Sequence, residues 1–335
     1  MTSRELVHAT LDYARPERIP RHIWSLPWAQ SRYGIEYDRL LQDFPADITT
    51  APEQLSRPTI ARGDAYKRGT YVDEWGAIFA QAADGTIGEV KEPIVTEDSW
   101  EDTSRVHFPT ERQTFDREAV RQYCASTETF VVSPNLARPF ERLQFLRGTE
   151  DLFVDLINPP DGLRRFISRM HSFACELVEA WAHTDVDAIT FMDDWGAQHA
   201  LLVNPALWRS VFRPLYRDYI DIAHTHGKRA FMHSDGHILA IYPDLIDLGL
   251  DALNSQIFCM GIDELSKFAG RITFWGEIDR QHLLVDATED EVRAAVRDVY
   301  STLYRGGGCI AQCEFGAGAR IENVRAVFDE WNRVH

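Results

Sequence analysis

The chain has 335 residues, 44% of them hydrophobic and 26% charged, with a formal net charge of −17. That length accommodates a large core in one barrel-sized unit, and the composition is that of a globular protein. The acidity argues against nucleic acid or an anionic membrane as the main partner, because both are gripped through basic surfaces.

Five cysteines, Cys124, Cys175, Cys259, Cys309 and Cys313, are odd in number and widely spaced. They read as reduced thiols rather than a disulfide framework. The N-terminus has no basic segment followed by an apolar one, so no secretory signal is expected. No apolar run approaches the roughly 18 residues that span a bilayer. The expectation is a soluble, cytoplasmic protein that acts on a small-molecule substrate.

Ser3, followed by Glu5, Leu6, Val7, Thr10 and Leu11, reads as the cap of an amphipathic helix ending before Pro16. Residues 18–24 are expected to be extended, carrying Trp24 toward the body of the protein, with Trp28 beyond. Residues 47–50 are the expected first barrel strand. Residues 64–95 alternate and turn at Asp84-Gly85, which predicts a β-hairpin. Residues 97–118 are charged and contain proline, as expected of a surface excursion. The whole of 64–118 is thus read as a small insertion.

From residue 129 the rhythm becomes regular. Phe130 opens a strand, and the Asn158-Pro159-Pro160-Asp161 turn introduces a helix with Leu163, Phe166, Ile167, Met170, Phe173 and Leu177 on one face. Asn204 caps the next helix with Pro205 in its first turn, Pro214 is expected to kink it, and Gly227 closes it. Thr288 and Glu291 form a capping box, and Gly306-Gly307-Gly308 opens the last strand. Five apolar segments run into polar clusters: at Asp193-Asp194, at His233 and Asp235, at Asn254, at Glu277, and at Cys313-Glu314. Helices separate most of them. This is the pattern of a (β/α)8 TIM barrel, a single domain over residues 1–335 with its chemistry at the C-terminal ends of the strands.

His233 and Asp235 lie two apart on a strand end, on the same face and with Cα atoms about 6–7 Å apart, close enough to share an ion. Alone, such a pair more often serves structure. Cys313, at the end of the last strand, is read as level with them. Cys309, about 13 Å further down that strand, is a packed thiol. A His233, Asp235 and Cys313 set with an open position has the shape of a catalytic zinc site. Glu277 and Glu314 are both placed to complete it or to move protons. Strand alternation sends Glu314 outward if Cys313 faces in, which favours Glu277. Of the adjacent Asp193 and Asp194 only one can face the interior. Asp194, nearer the mouth, is the choice for contact with substrate or for proton transfer, and Asp193 is left to cap the following helix.

These blocks resemble the uroporphyrinogen decarboxylase superfamily, in particular its corrinoid-dependent methyltransferase branch. The resemblance runs from Ser3-Arg4-Glu5-Leu6 and Arg18-Ile19-Pro20 through Asp193-Asp194-Trp195-Gly196, His233-Ser234-Asp235-Gly236 and Trp275-Gly276-Glu277 to Gly306-Gly307-Gly308. It implies a (β/α)8 barrel, but not uroporphyrinogen as substrate: where true decarboxylases carry an Arg-Gln-Ala-Gly-Arg segment, this chain has Arg21-His22-Ile23-Trp24. It implies a zinc ion held by a His-x-Cys pair and a distant cysteine. His233 and Cys313 match the first and last ligands, and Asp235 stands where the middle cysteine would be. That exchange makes the ion a harder Lewis acid. The resemblance also implies a corrinoid borne by a separate partner protein, and it leaves a homodimer open. The leading reading is a zinc-dependent methyltransferase or demethylase activating a thiol, hydroxyl or water. The alternatives are a lyase or decarboxylase acting on a small carboxylated or aromatic substrate, and a non-enzymatic barrel that binds a corrinoid or tetrapyrrole.

Overall fold

In the computed structural model, residues 1–334 are described. Eleven strands form: β1 (Arg21–Ser25), β2 (Ile48–Thr50), β3 (Gly69–Val72), β4 (Ile78–Gln81), β5 (Glu89–Glu92), β6 (Phe130–Asn135), β7 (Ala188–Met192), β8 (Arg229–Ser234), β9 (Ala252–Ser255), β10 (Thr273–Trp275) and β11 (Cys309–Phe315). Eight of them make one parallel sheet in the order β1-β11-β10-β9-β8-β7-β6-β2. Helices connect most of the successive strands, as a parallel sheet requires.

The seam between β1 and β2 is closed by one residue. The Asp47 amide donates to the Arg21 carbonyl at 2.8 Å, and the Arg21 amide donates back to the Asp47 carboxylate at 2.8 Å. That carboxylate, only 1% exposed, also takes the Ser3 hydroxyl and the Arg18 guanidinium. Asp47→Ala is expected to cost roughly 3–5 kcal/mol, because it strands buried donors and a cation at the closure. A thermal midpoint within a degree of wild type would contradict that role.

Alternation sorts each strand's side chains between two layers. Ile48, Phe130, Val132, Ala188, Phe231, Ala252, Trp275 and Ile310 meet inside the barrel, where Val7 and Leu11 of the first helix join them. Their immediate neighbours along the strands, such as Val131, Ile189, Met232, Leu253, Phe274 and Cys309, pack in the larger apolar layer beneath the helices. The helix Asp161–Ala182 buries Leu163, Phe166, Met170, Phe173 and Leu177, as its spacing predicts, while Ile167 is half-buried. Thr288 and Glu291 make the expected capping box, and Asn204 caps its helix through the Ala206 amide.

Several expectations are corrected. The first barrel strand is β1, and residues 48–50 are the second. β1 escaped notice because its inward residues are His22 and Trp24 rather than aliphatic ones. Thr2, not Ser3, caps the first helix in a capping box with Glu5. The hairpin is a three-stranded antiparallel sheet, β3-β4-β5. The excursion over 97–118 is partly core: Trp100, Val106 and Phe115 are buried, and Phe115 stacks on Trp181 with ring centroids 4.2 Å apart. Charged residues around these three aromatic and aliphatic anchors hid them. The helix containing Pro214 does not merely kink but divides into Pro205–Val211 and Arg213–Thr225. Among the described residues no helix is long and apolar enough to cross a membrane.

Candidate active site at the barrel mouth

The loops after β7 and β8 are laced together. Asp193 N–H donates to the His233 carbonyl, Trp195 N–H to the Ser234 hydroxyl, and Gly196 N–H to the Asp235 carbonyl. The Asp235 amide donates to Asp194 Oδ1 at 3.0 Å. Gly196 and Gly236 cross so closely that a Cβ on Gly236 would lie 2.1 Å from the Gly196 carbonyl oxygen, and Gly236 has φ +77°. Only glycine meets both demands. The Asp-Asp-Trp-Gly and His-Ser-Asp-Gly blocks are therefore one structural device that brings two carboxylates to one imidazole.

The result is a compact group. His233 Nε2 lies 3.4 Å from Asp194 Oδ1 and 3.6 Å from Asp235 Oδ1. One ligand atom from each of Asp194, His233 and Asp235 falls within 4.8 Å of the other two. The orientation of His233 follows from its other nitrogen. Asn254, its register partner on β9, donates through Nδ2 to the Trp275 carbonyl, which turns Oδ1 toward His233. His233 Nδ1, 2.6 Å from that oxygen, is then the protonated nitrogen, and the Nε2 face is left for the carboxylates. Buttressing of this kind is what orients a metal-binding histidine.

Burial by itself would push the His233 imidazole down. Its contacts with Asp194, Asp235 and Asn254 outweigh that and raise it to about 9. Asp194, also desolvated, is brought down to about 2 by His233, the Asp235 amide and Arg138. Asp235 Oδ1 is buried without a hydrogen-bond donor. An acceptor in that state is suited to a cation. One nitrogen and two carboxylate oxygens with open positions form a hard donor set, of the kind that divalent metals take in catalytic sites. The residues present fit such an ion.

Arg280 organises the acidic wall. It contacts Asp235 through Nη2, and its Nη1 lies 2.8 Å from Glu314 Oε2 and 3.4 Å from Glu277 Oε1. The open space above holds about 690 Å³, lined by Trp24, Asp194, His233, Asp235, Arg280 and Glu314. Arg138, Glu141 and Arg142 also line it, with Tyr71, Trp75 and Phe79 from the β3-β4-β5 insertion. Arg142 ties that insertion down by pairing with Asp73 and Glu74. A deeper recess of about 440 Å³ reaches His22 and Trp275 inside the barrel.

The structure does not bring Cys313 to this group. β11 pairs with β1 so that Trp24 lies beside Glu314 and Ile23 beside Cys313. Ile310, Gln312 and Glu314 therefore face in. Cys313 is fully buried with Cys309 and Phe315 in the outer apolar layer, where burial raises its thiol well above the ordinary value. The expectation that Glu314 points outward is reversed with it. Glu277 is near but behind Arg280, lining a separate space of about 130 Å³ rather than the main cavity. Asp194, His233 and Asp235 stand together at the strand ends, so Asp194 lies within the His233–Asp235 group rather than apart from it. Asp193 faces away and, contrary to expectation, caps not the following helix but Pro139–Arg147, which precedes its own strand in the chain. Trp24 and Trp75 wall the cavity, whereas Trp195 is packing, stacked on Phe140 at 4.1 Å. Sequence reading placed Asn254 at a strand end without giving it a role, and missed Arg280, Arg138 and Glu141. Strand phase counted from His233 across to Asn254 was the one signal available.

Glu277 carries a testable pH dependence. Burial, seconded by Asp235 and Glu314 and opposed by Arg280, raises its carboxyl to about 8. The folded chain thus holds a proton that the unfolded chain releases near pH 4.5. Stability is expected to fall as pH rises from about 4.5 to about 8. Glu277→Gln should flatten that decline in urea unfolding, and an unchanged slope would refute the assignment.

The profile of the uroporphyrinogen decarboxylase family, URO-D, matches residues 79–334, well over half of the sequence. The chain belongs to the uroporphyrinogen decarboxylase family. Among solved structures, a methyltransferase from Methanosarcina mazei is similar over 99% of this chain and 99% of its own, with a TM-score of 0.72 and 13% identity. That similarity is one of fold. The intracellular xylanase TsXylA from Thermoanaerobacterium saccharolyticum covers 91% of this chain and 88% of its own at 11% identity, with a TM-score of 0.42, which carries no functional weight. No curated protein matches the sequence. Among the described residues no cysteine lines the main cavity.

Proposed function

We propose that this URO-D family member is a metal-dependent methyl-transferring enzyme for a small-molecule substrate, with a divalent cation, zinc first among candidates, held by Asp194, His233 and Asp235. The observation that carries the reading is the oriented Nε2 of His233 facing two carboxylate oxygens, one of them buried without a donor. Such an ion acts as a Lewis acid that makes a coordinated thiol, hydroxyl or water nucleophilic near neutral pH. The methyltransferase fold neighbour supports the choice of reaction class. The methyl carrier in this reading is a corrinoid borne by a separate protein.

The chain's own residues then have distinct tasks. Asn254 keeps His233 Nδ1 protonated and its ring turned to the ion. Arg280 holds Asp235 in place while neutralising the crowd of carboxylates. Glu314, facing the cavity and raised by burial against the opposing pull of Arg280, is the group placed to take the proton a nucleophile releases. Trp24 and the insertion's Tyr71, Trp75 and Phe79 give the substrate an apolar wall. They also keep bulk water from the reacting atoms.

The test is methyl transfer between methylcobalamin and a panel of thiols and phenols, with zinc-loaded and chelated protein. Turnover that needs zinc supports the proposal. Decarboxylation of a small aromatic acid that survives exhaustive chelation would overturn it in favour of a lyase. Arg280→Lys is expected to lower kcat about 10- to 100-fold, since a point charge cannot bridge Asp235 and Glu314 as the guanidinium fork does. Unaltered kinetics in that variant would remove Arg280 from the site.

A further inference from the structure

At the opposite end of the barrel, we propose a second transition-metal site formed by Glu179, His183 and His226. His226 Nε2 lies 2.8 Å and His183 Nε2 3.2 Å from the same oxygen, Glu179 Oε1. The two imidazoles meet edge to face with centroids 4.2 Å apart. One ligand atom from each residue falls within 4.8 Å of the others. A zinc-like ion bound at about 2.0–2.2 Å to nitrogen and oxygen needs donors a little over 3 Å apart, so modest rotamer adjustment admits it.

The backbone favours a cation here independently of those side chains. His183 ends the helix Asp161–Ala182, and His226 ends the helix Arg213–Thr225. Two helix C-termini, each carrying a partial negative charge, thus converge on one point. Glu179 stands one turn before His183 on the same face. His226 is anchored by its amide to the carbonyls of Ile222 and Ala223. Both histidines precede the strands that follow them, β7 and β8, so this site lies at the N-terminal face. Asp194 and Asp235 follow the same two strands at the mouth. The two sites are separated by the length of the barrel.

The donor chemistry selects the ion. Two imidazoles and a single carboxylate suit zinc, nickel or copper(II) and offer too few oxygens for calcium or magnesium. Glu179 and His183 are about half exposed, so the ion exchanges with solvent, and a water completes its sphere. The site clamps two helices that already meet through His171, Asp218 and Tyr219. Its consequence is stabilisation of the fold by mass action, the role expected of the barrel's lower face.

Equilibrium dialysis of the chelated full-length protein against zinc tests this. Wild type is expected to take up two equivalents, His183→Ala/His226→Ala one, and His233→Ala one. Because His233→Ala probes the mouth alone, failure of either site is read separately from the other. Copper(II) added to the His233→Ala protein should give an electron paramagnetic resonance spectrum with coupling to two nitrogens. Zinc should raise the melting temperature of that protein by a few degrees, and Glu179→Gln, which leaves the surface packing alone, should reduce the shift. A double variant that binds as much zinc as wild type, or a copper spectrum without nitrogen coupling, overturns the proposal.

Discussion

His233→Ala is expected to empty the barrel mouth of metal, whereas Cys313→Ser leaves the bound metal unchanged. The imidazole is the only nitrogen donor of the group and sits between both carboxylates. Without it, Asp194 and Asp235 would face one another with no fixed geometry. The loss of affinity should exceed the 10- to 100-fold typical of removing a partner that merely orients a ligand. Asn254→Leu supplies that intermediate case. It leaves Nε2 in place but removes the acceptor that fixes the ring, and the expected loss is about 10- to 100-fold. Cys313 lies in the outer apolar layer, so its thiol has no path to the ion. Metal analysis of the three variants gives the order His233→Ala, then Asn254→Leu, then Cys313→Ser at wild-type content. Loss of metal in Cys313→Ser would restore the ligand set expected from sequence and sink the one proposed here. An ion at the site proposed on the N-terminal face would add a constant background, which His183→Ala/His226→Ala removes.

The largest effect on stability is expected at Asp193. Its carboxylate is fully buried and accepts the amides of Phe140 at 2.9 Å and Glu141 at 2.8 Å, together with the Tyr216 hydroxyl at 2.5 Å. The first two are free donors in the opening turn of the helix Pro139–Arg147, a place that favours negative charge. Asp193 thus fastens the end of β7 to the helix that carries Glu141 and Arg142 to the cavity wall. Asp193→Ala would leave three donors unsatisfied at a cost of roughly 3–5 kcal/mol. The melting temperature should fall by several degrees or more. Asp193→Asn keeps the volume but presents one acceptor in place of two, and should recover only part of the loss. A melting temperature equal to wild type in Asp193→Ala would show that water replaces the carboxylate.

Much of this site was legible one residue at a time. Asp194, His233 and Asp235 stand at strand ends before glycines, and strand ends are where a barrel keeps its chemistry. The partners that make them useful were not legible. Asn254 belongs to a different strand, and its value depends on register with β8. Arg280 lies in a loop, where no periodicity constrains direction. The buried anchors Trp100 and Phe115 were masked by the charges around them, since a surface segment and a segment that folds over a helix share much the same composition.

The amino-acid order alone determined the alternation of strands and helices, the helix ends at Asn204 and Thr288, and the glycine-bearing blocks that meet at the mouth. These depend on local propensities and on spacing within a few residues. Tertiary structure decided which face of β11 looks inward, and so placed Glu314 in the cavity and Cys313 outside it. A period of two says only that neighbours face opposite ways. Which of them turns toward the axis is settled by pairing with β1 and β10, contacts made by residues hundreds of positions or a few dozen positions away, to which no local pattern responds.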